Sequence, residues 1–209
     1  MDASTAYPYL IILQFCGNVL QSPPDAAMLR HLRARRLFAG WPLEPATPEA
    51  AAALAELARG GSVAPYSVAA LRQDHLLLFS GPAPLALPWE SVWREKDRLL
   101  FGEQTALVRE CYGKWGLAIE NAGHIPEDHL GLELAFCAFL LRKAAEGGND
   151  AALSALAAFL DEHLLRWAEP CLRTVEASEA GDFYRCLAPL CLDALFRLRS
   201  QIRVWQETN

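Results

Sequence analysis

The 209-residue sequence lacks most of the short signatures that mark enzymes. It has no phosphate-binding Walker loop and no glycine fingerprint opening a helix after a strand, so the standard nucleotide folds have no foothold. It also lacks the nucleophile elbow of the α/β-hydrolases. Its six cysteines, Cys16, Cys111, Cys137, Cys171, Cys186 and Cys191, form no CxxC pair and no clustered ligand set. A zinc site is therefore not expected, and these cysteines read as reduced core residues of a cytoplasmic protein. His124 and His129 are five apart and do not share a helix face as zincin histidines do. Asp74-His75 and Asp128-His129 are adjacent acid–histidine pairs, but no serine or cysteine stands beside them as a nucleophile. No catalytic constellation can be assembled, so catalysis is not expected.

Positive charge is also short. Lysine and arginine total 19 against 25 acids, a formal charge of −6. A general nucleic-acid surface is not expected from that balance. Residues 3–24 carry no charge, yet no Lys or Arg precedes Arg30, so a signal-peptide n-region is missing. Gln14, Gly17 and Asn18 interrupt the apolar run before it reaches membrane-spanning length, so a buried first helix is expected, with no stable membrane insertion.

Alanine and leucine dominate, and β-branched residues are few, which favours helix over sheet. Apolar periodicity and breakers predict helices over about 6–20, 26–38, 47–59, 66–79, 102–115, 126–146, 150–165 and 183–205, with a short one opening at Glu169-Pro170. Gly60-Gly61 is expected to end the third. Arg30, Arg33, Arg35 and Arg36 read as a solvated face of the second. Short connections and the absence of a linker predict an all-α fold of about nine or ten helices in one compact domain over 1–209.

Two stretches stand out. The first is Ala83 to Trp93, where Pro84, Pro88 and Pro82 before them rule out a regular helix while Leu87, Trp89 and Trp93 bring large apolar groups. It either folds back on the core or offers its tryptophans to a partner. The second is Ile125-Pro126-Glu127-Asp128-His129. Proline suits a first helical position, and Glu127 and Asp128 would then sit in the first turn at the positive end of the dipole. His129 would lie at the core rim, its charged form favoured by the neighbouring carboxylate.

Together, Leu87-Pro88-Trp89-Glu90-Ser91-Val92-Trp93, then Leu100-Phe101-Gly102, then Pro126-Glu127-Asp128-His129 resemble the TorD/DmsD family of redox-enzyme maturation chaperones, nearest its DmsD branch. The similarity is clear from about Leu78 to Leu141. Here Ala83 follows Gly81-Pro82, where DmsD-like proteins often carry tryptophan, and the spacer to Leu87 is shorter. The resemblance implies an all-helical cytoplasmic protein with no catalytic activity and no cofactor. It implies binding of the twin-arginine signal peptide of a molybdopterin oxidoreductase, possibly a dimethyl sulfoxide reductase-like catalytic subunit, which is held back from the Tat translocase until its cofactor is loaded. The binding residues it implies are Leu87, Trp89, Trp93, Asp128 and His129, with Pro126 and Glu127 as neighbours, and Glu133 matches an acidic position of the wider family. Glu90, Glu127 and Asp128 would face the two guanidinium groups. Relatives that serve leaderless subunits, bind guanine nucleotides or exchange helices between subunits leave three readings open: an assembly adaptor, a nucleotide-binding regulator, and a monomer or domain-swapped dimer.

Overall fold

The computed structural model describes residues 2–63, 66–119 and 126–208. Its helices are α1 (Ala3–Gln21), α2 (Ala26–Ala34), α3 (Pro48–Val63), α4 (Val68–His75), α5 (Glu90–Arg94), α6 (Glu103–Gly113), α7 (Leu130–Gly147), α8 (Asp150–Glu162), α9 (Ala168–Glu176) and α10 (Asp182–Thr208). No strand is present among the described residues, so the all-α expectation holds.

Side chains placed by local sequence start several of these helices. Asp2 accepts from the Thr5 N–H at 2.8 Å, Asp25 from Met28 at 2.7 Å, Ser67 from Ala70 at 3.1 Å and Asn149 from Ala152 at 3.1 Å. Each removes one donor that the first turn would leave unpaired. Gly148, at φ +56°, closes α7 in the left-handed conformation that costs an L side chain energy.

Helix α1 packs along α7, α8 also packs on α7, and α10 runs against α3 and α9. One continuous core results, from Ala6 on α1 to Ile202 on α10. The α1–α7 crossing is set by two glycines. A Cβ on Gly131 would stand 2.5 Å from the Gly17 carbonyl oxygen, and one on Gly17 would stand 2.9 Å from the Gly131 oxygen. Alanine at 131 would gain up to about 1 kcal/mol of helix propensity. The backbone oxygen it meets cannot swing aside, and overpacking of this kind costs about 1–3 kcal/mol. Gly131→Ala is therefore expected to lower the urea midpoint, with a net loss near 1 kcal/mol. An unchanged or higher midpoint would show that the crossing does not depend on this contact.

Several boundaries differ from the sequence reading, and three of them bear on the site or the core. Helix α3 runs through Gly60 and Gly61 to Val63, because glycine permits a left-handed stop without imposing one. The segment after Gly81 is not wholly irregular: α5 forms immediately after Pro88, where no proline interferes. Helix α7 begins at Leu130, so Pro126, Glu127 and Asp128 precede it instead of forming its first turn. The reason is a tertiary pairing. The Leu130 N–H donates to the Pro88 carbonyl at 2.8 Å, and the Glu90 N–H to the Asp128 carbonyl at 2.9 Å. Trp89 and His129 form an antiparallel bridge. The ψ of His129 is 132°, which this pairing holds extended. Ile125 and His124 lie outside the described residues.

Candidate functional site

The two stretches singled out in the sequence meet in space. Asp128 is fully buried and is the pin between them. One carboxylate oxygen accepts the Ser91 N–H at 2.8 Å, and the other accepts the Thr105 hydroxyl at 2.8 Å. Ser91 is the second residue of α5, and Trp89, its N-cap, offers no side-chain acceptor. Asp128 thus caps α5 from 37 residues away, and through Thr105 it ties α6 to the same point.

Glu127 is buried beside it, held by a two-point contact with Arg109: Nε to Oε1 at 2.6 Å and a second guanidinium nitrogen to Oε2 at 2.9 Å. The Arg109 hydrogen bonds lower the Glu127 carboxyl below its ordinary value against the opposing effect of burial. Its backbone carbonyl accepts the Tyr112 hydroxyl at 3.1 Å.

Glu90 is also fully buried. One oxygen pairs with Arg94 and the other lies 3.0 Å from His163 Nδ1. Burial would hold the His163 imidazole down, but the Cys111 and Glu90 hydrogen bonds outweigh it and lift the ring to about 9.

Glu90, Glu127 and Asp128 were expected to face incoming guanidinium groups, and the structure gives each of them partners within this chain. All three are buried and paired with groups of this chain, as buried carboxylates must be. Pro126 is buried too. His129 also departs from expectation. Its Nδ1 accepts the Gly131 N–H at 3.0 Å, which makes it the N-cap of α7 and leaves its proton on Nε2. Burial, with the charge of His75 adding to it, pushes the ring down to about 4, so it is neutral at physiological pH. Desolvation of the cation outweighs whatever Asp128 offers, since Asp128 points at Ser91 and Thr105.

Leu87, Trp89 and Trp93 are half-buried, neither core plugs nor free-standing groups. The Trp93 indole N–H donates to the Leu87 carbonyl at 2.7 Å, which fastens the turn before α5. Trp89 meets His129 edge to face, with ring centroids 5.5 Å apart. Glu133, one turn into α7, is fully buried and accepts the Trp167 indole N–H at 3.2 Å. Burial raises its carboxyl well above the usual range, against the lowering effect of the Trp167 hydrogen bond.

Two features escaped sequence reasoning. Leu99, Leu100 and Phe101, between α5 and α6, are exposed by 63%, 41% and 47%. Three consecutive apolar side chains facing solvent are unusual in a monomer surface. The Leu100-Phe101-Gly102 motif was visible, but not its outward aim. The backbone there takes φ +53° at Arg98 and +61° at Phe101, outside the ordinary range for such residues. The second feature is a chain of contacts from Cys111 through His163 to Glu90. Its members lie on different elements, so no spacing rule would find it.

An all-helical body with an α5–α7 junction pinned by buried carboxylates, and a half-buried apolar rim over it, defines a helical binding module. The chain belongs to the nitrate reductase delta subunit family, whose model matches residues 42–173, and within it to the TorD/DmsD chaperones. It is 32% identical over 166 residues to the Tat proofreading chaperone DmsD of Salmonella typhi, covering 78% of this chain and 74% of that one. It is 31% identical over 126 residues to a Haemophilus influenzae protein named as a probable Tat proofreading chaperone DmsD. That match takes in 60% of this chain and 58% of the relative, less than two thirds of its length. A solved redox enzyme maturation protein from Archaeoglobus fulgidus shares the fold at a TM-score of 0.50 and 20% identity, over 97% of this chain and 95% of that one.

Proposed function

We propose that this protein is a non-catalytic cytoplasmic chaperone that binds the twin-arginine signal peptide of a molybdopterin oxidoreductase subunit and delays its Tat export until the cofactor is in place. The observation that carries the reading is the pinned junction of α5 with the residues before α7, within a chain similar to Tat proofreading chaperones. It holds Leu87, Trp89, Trp93 and His129 at one rim, and Leu99, Leu100 and Phe101 extend the apolar surface beyond α5. An apolar signal segment laid there as a helix would bury aromatic area, the usual source of peptide affinity in such grooves. Pro126, Glu127, Asp128 and Glu90 act beneath the peptide: they fix the rim and do not reach the guest's arginines.

The test is calorimetry of the full chain with a synthetic twin-arginine leader and with the same leader carrying alanine at both arginines. With the carboxylates already paired, the apolar segment is expected to supply most of the affinity. The native leader should bind at about micromolar or tighter, worth roughly −8 kcal/mol, and the double-alanine leader within about tenfold of it. Trp89→Ala should cost about 2 kcal/mol, some thirtyfold, at unchanged circular dichroism. His129→Leu should weaken binding less and cost about 1 kcal/mol of stability through the lost cap. A leader that does not bind would remove this reading and move the client contact to the mature subunit.

A further inference from the structure

The contacts between Cys111, His163 and Glu90 have the geometry of an activated thiol. Cys111 Sγ lies 3.8 Å from His163 Nε2, the other ring nitrogen lies 3.0 Å from Glu90, and Glu90 is fully buried. The three residues come from α6, the turn after α8, and α5, so the fold alone assembles them. A carboxylate that orients an imidazole, which in turn faces a sulfur, supplies a positive N–H donor where negative charge on sulfur must be held.

Cys111 also lines an open cleft. The residue is half-buried, and the cleft, of about 230 Å³, is floored by Trp115, Phe136 and Phe159, with Ala155 and Ala158 leaving room. Lys114 and Glu162 stand at its edge, one of each sign, His163 lines it beside the sulfur, and the apolar floor suits an uncharged aromatic or apolar guest. Cys16, Cys137, Cys171 and Cys191 are buried and closed to any reagent, and only Cys186 is comparably open among the rest. Cys186 has no imidazole partner among the described residues: Asp182 and Glu56 are near it, and burial pushes its thiol up to about 11.

We propose that Cys111 is a nucleophilic thiol site that takes small uncharged disulfides with an aromatic or apolar substituent, forming a mixed disulfide in the cleft between α6 and α8. The Cys111 thiol passes its proton to His163 Nε2, and its sulfur forms an S–S bond to the nearer sulfur of the guest. The guest's own S–S bond breaks, and its electron pair leaves on the second sulfur. That sulfur takes the proton from His163 Nε2. Cys111 is oxidised to the mixed disulfide, and the departing half is reduced to a thiol, so no further oxidant is needed. The product would remove the sulfur from its contact with His163, one of the two side-chain partners of that imidazole.

The probe is dithiodipyridine, a neutral aromatic disulfide, added in small excess to the full chain near neutral pH. Samples are quenched over time and mapped by peptide mass. Cys111 is expected to react at least tenfold faster than Cys186 in the same molecule, a comparison that needs no variant. His163→Gln should slow Cys111 at least tenfold and leave Cys186 unchanged, and Cys111→Ser should remove the fast phase. Equal rates at the two cysteines, or an unaltered Cys111 rate in a folded His163→Gln protein, would overturn the proposal. Leader binding has no part in the readout, so this test stands or falls apart from the chaperone reading.

Discussion

Asp128→Ala is expected to lower the stability of the protein by about 3 kcal/mol, one of the two largest single-residue effects anticipated here. The carboxylate satisfies a backbone N–H of α5 and the hydroxyl of Thr105, and all of these groups are buried. Alanine leaves both donors unpaired and opens space between three helices. A hydrogen bond to a charged acceptor is worth about 1.5–3 kcal/mol, and an orphaned buried donor about 1–3 kcal/mol. Asp128→Asn keeps one acceptor oxygen but sets an amide N–H against a second donor, so about half the loss is expected. Thr105→Val removes a single contact of the same carboxylate and should cost about 1 kcal/mol. Urea denaturation of the three variants gives the ranking. A wild-type midpoint for Asp128→Ala would mean that α5 is held by other contacts. Because the role is structural, folded Asp128→Asn protein should bind a leader within about threefold of wild type, less than 1 kcal/mol away. A far larger loss in folded protein would return Asp128 to the peptide-contacting set.

The second large effect is the Glu90–His163 pair, which also gives a pH signature. The folded-state value for His163 is about 9, against 6.5 for the free side chain. A raised histidine contributes its stability in full below about 6.5, and loses it as pH climbs through 9. At roughly 1.4 kcal/mol per unit, the interval is worth about 3 kcal/mol. Stability should therefore decline steadily from pH 6.5 to 9 in the wild-type protein. Glu90→Gln should flatten that decline, with the Cys111 contact holding the remainder, and lower stability near pH 6, because the buried imidazolium then loses its counter-charge. The exposed pair of Lys114 with Glu110 is a control: Glu110→Gln should change stability by about 0.5 kcal/mol or less. An unchanged pH slope in Glu90→Gln would show that another group carries the dependence. Glu127 works in the opposite direction, since its lowered carboxyl stabilises above its unfolded value and loses that contribution only as pH falls.

Much of the fold was legible residue by residue. Composition and a 3.6-residue apolar period predicted an all-helical chain, and Asp25, Ser67 and Asn149 cap helices as local rules expect. Such features depend on neighbours within one turn, so the sequence carries them. The two candidate stretches were visible as well, through proline and tryptophan density in one and an acid–histidine run in the other. Their roles were less so. Glu127 and Asp128 read as surface acids in a helix start because short-range patterns cannot report that Arg109, Ser91 and Thr105 arrive from other elements.

The sequence by itself determined the class of structure, the approximate helices and the family resemblance, since periodicity, capping and motif order are all properties of the linear chain. Only the tertiary structure decided what the polar residues do. Burial depends on what packs from a distance, and burial determines whether a carboxylate meets solvent, a guest or an internal partner. It made Asp128 a cap for a helix 37 residues back, made His129 a neutral cap, pushed the Glu133 carboxyl upward, and set His163 between Cys111 and Glu90. In each case the deciding term is the free-energy cost of taking a charge out of water, which no spacing rule contains.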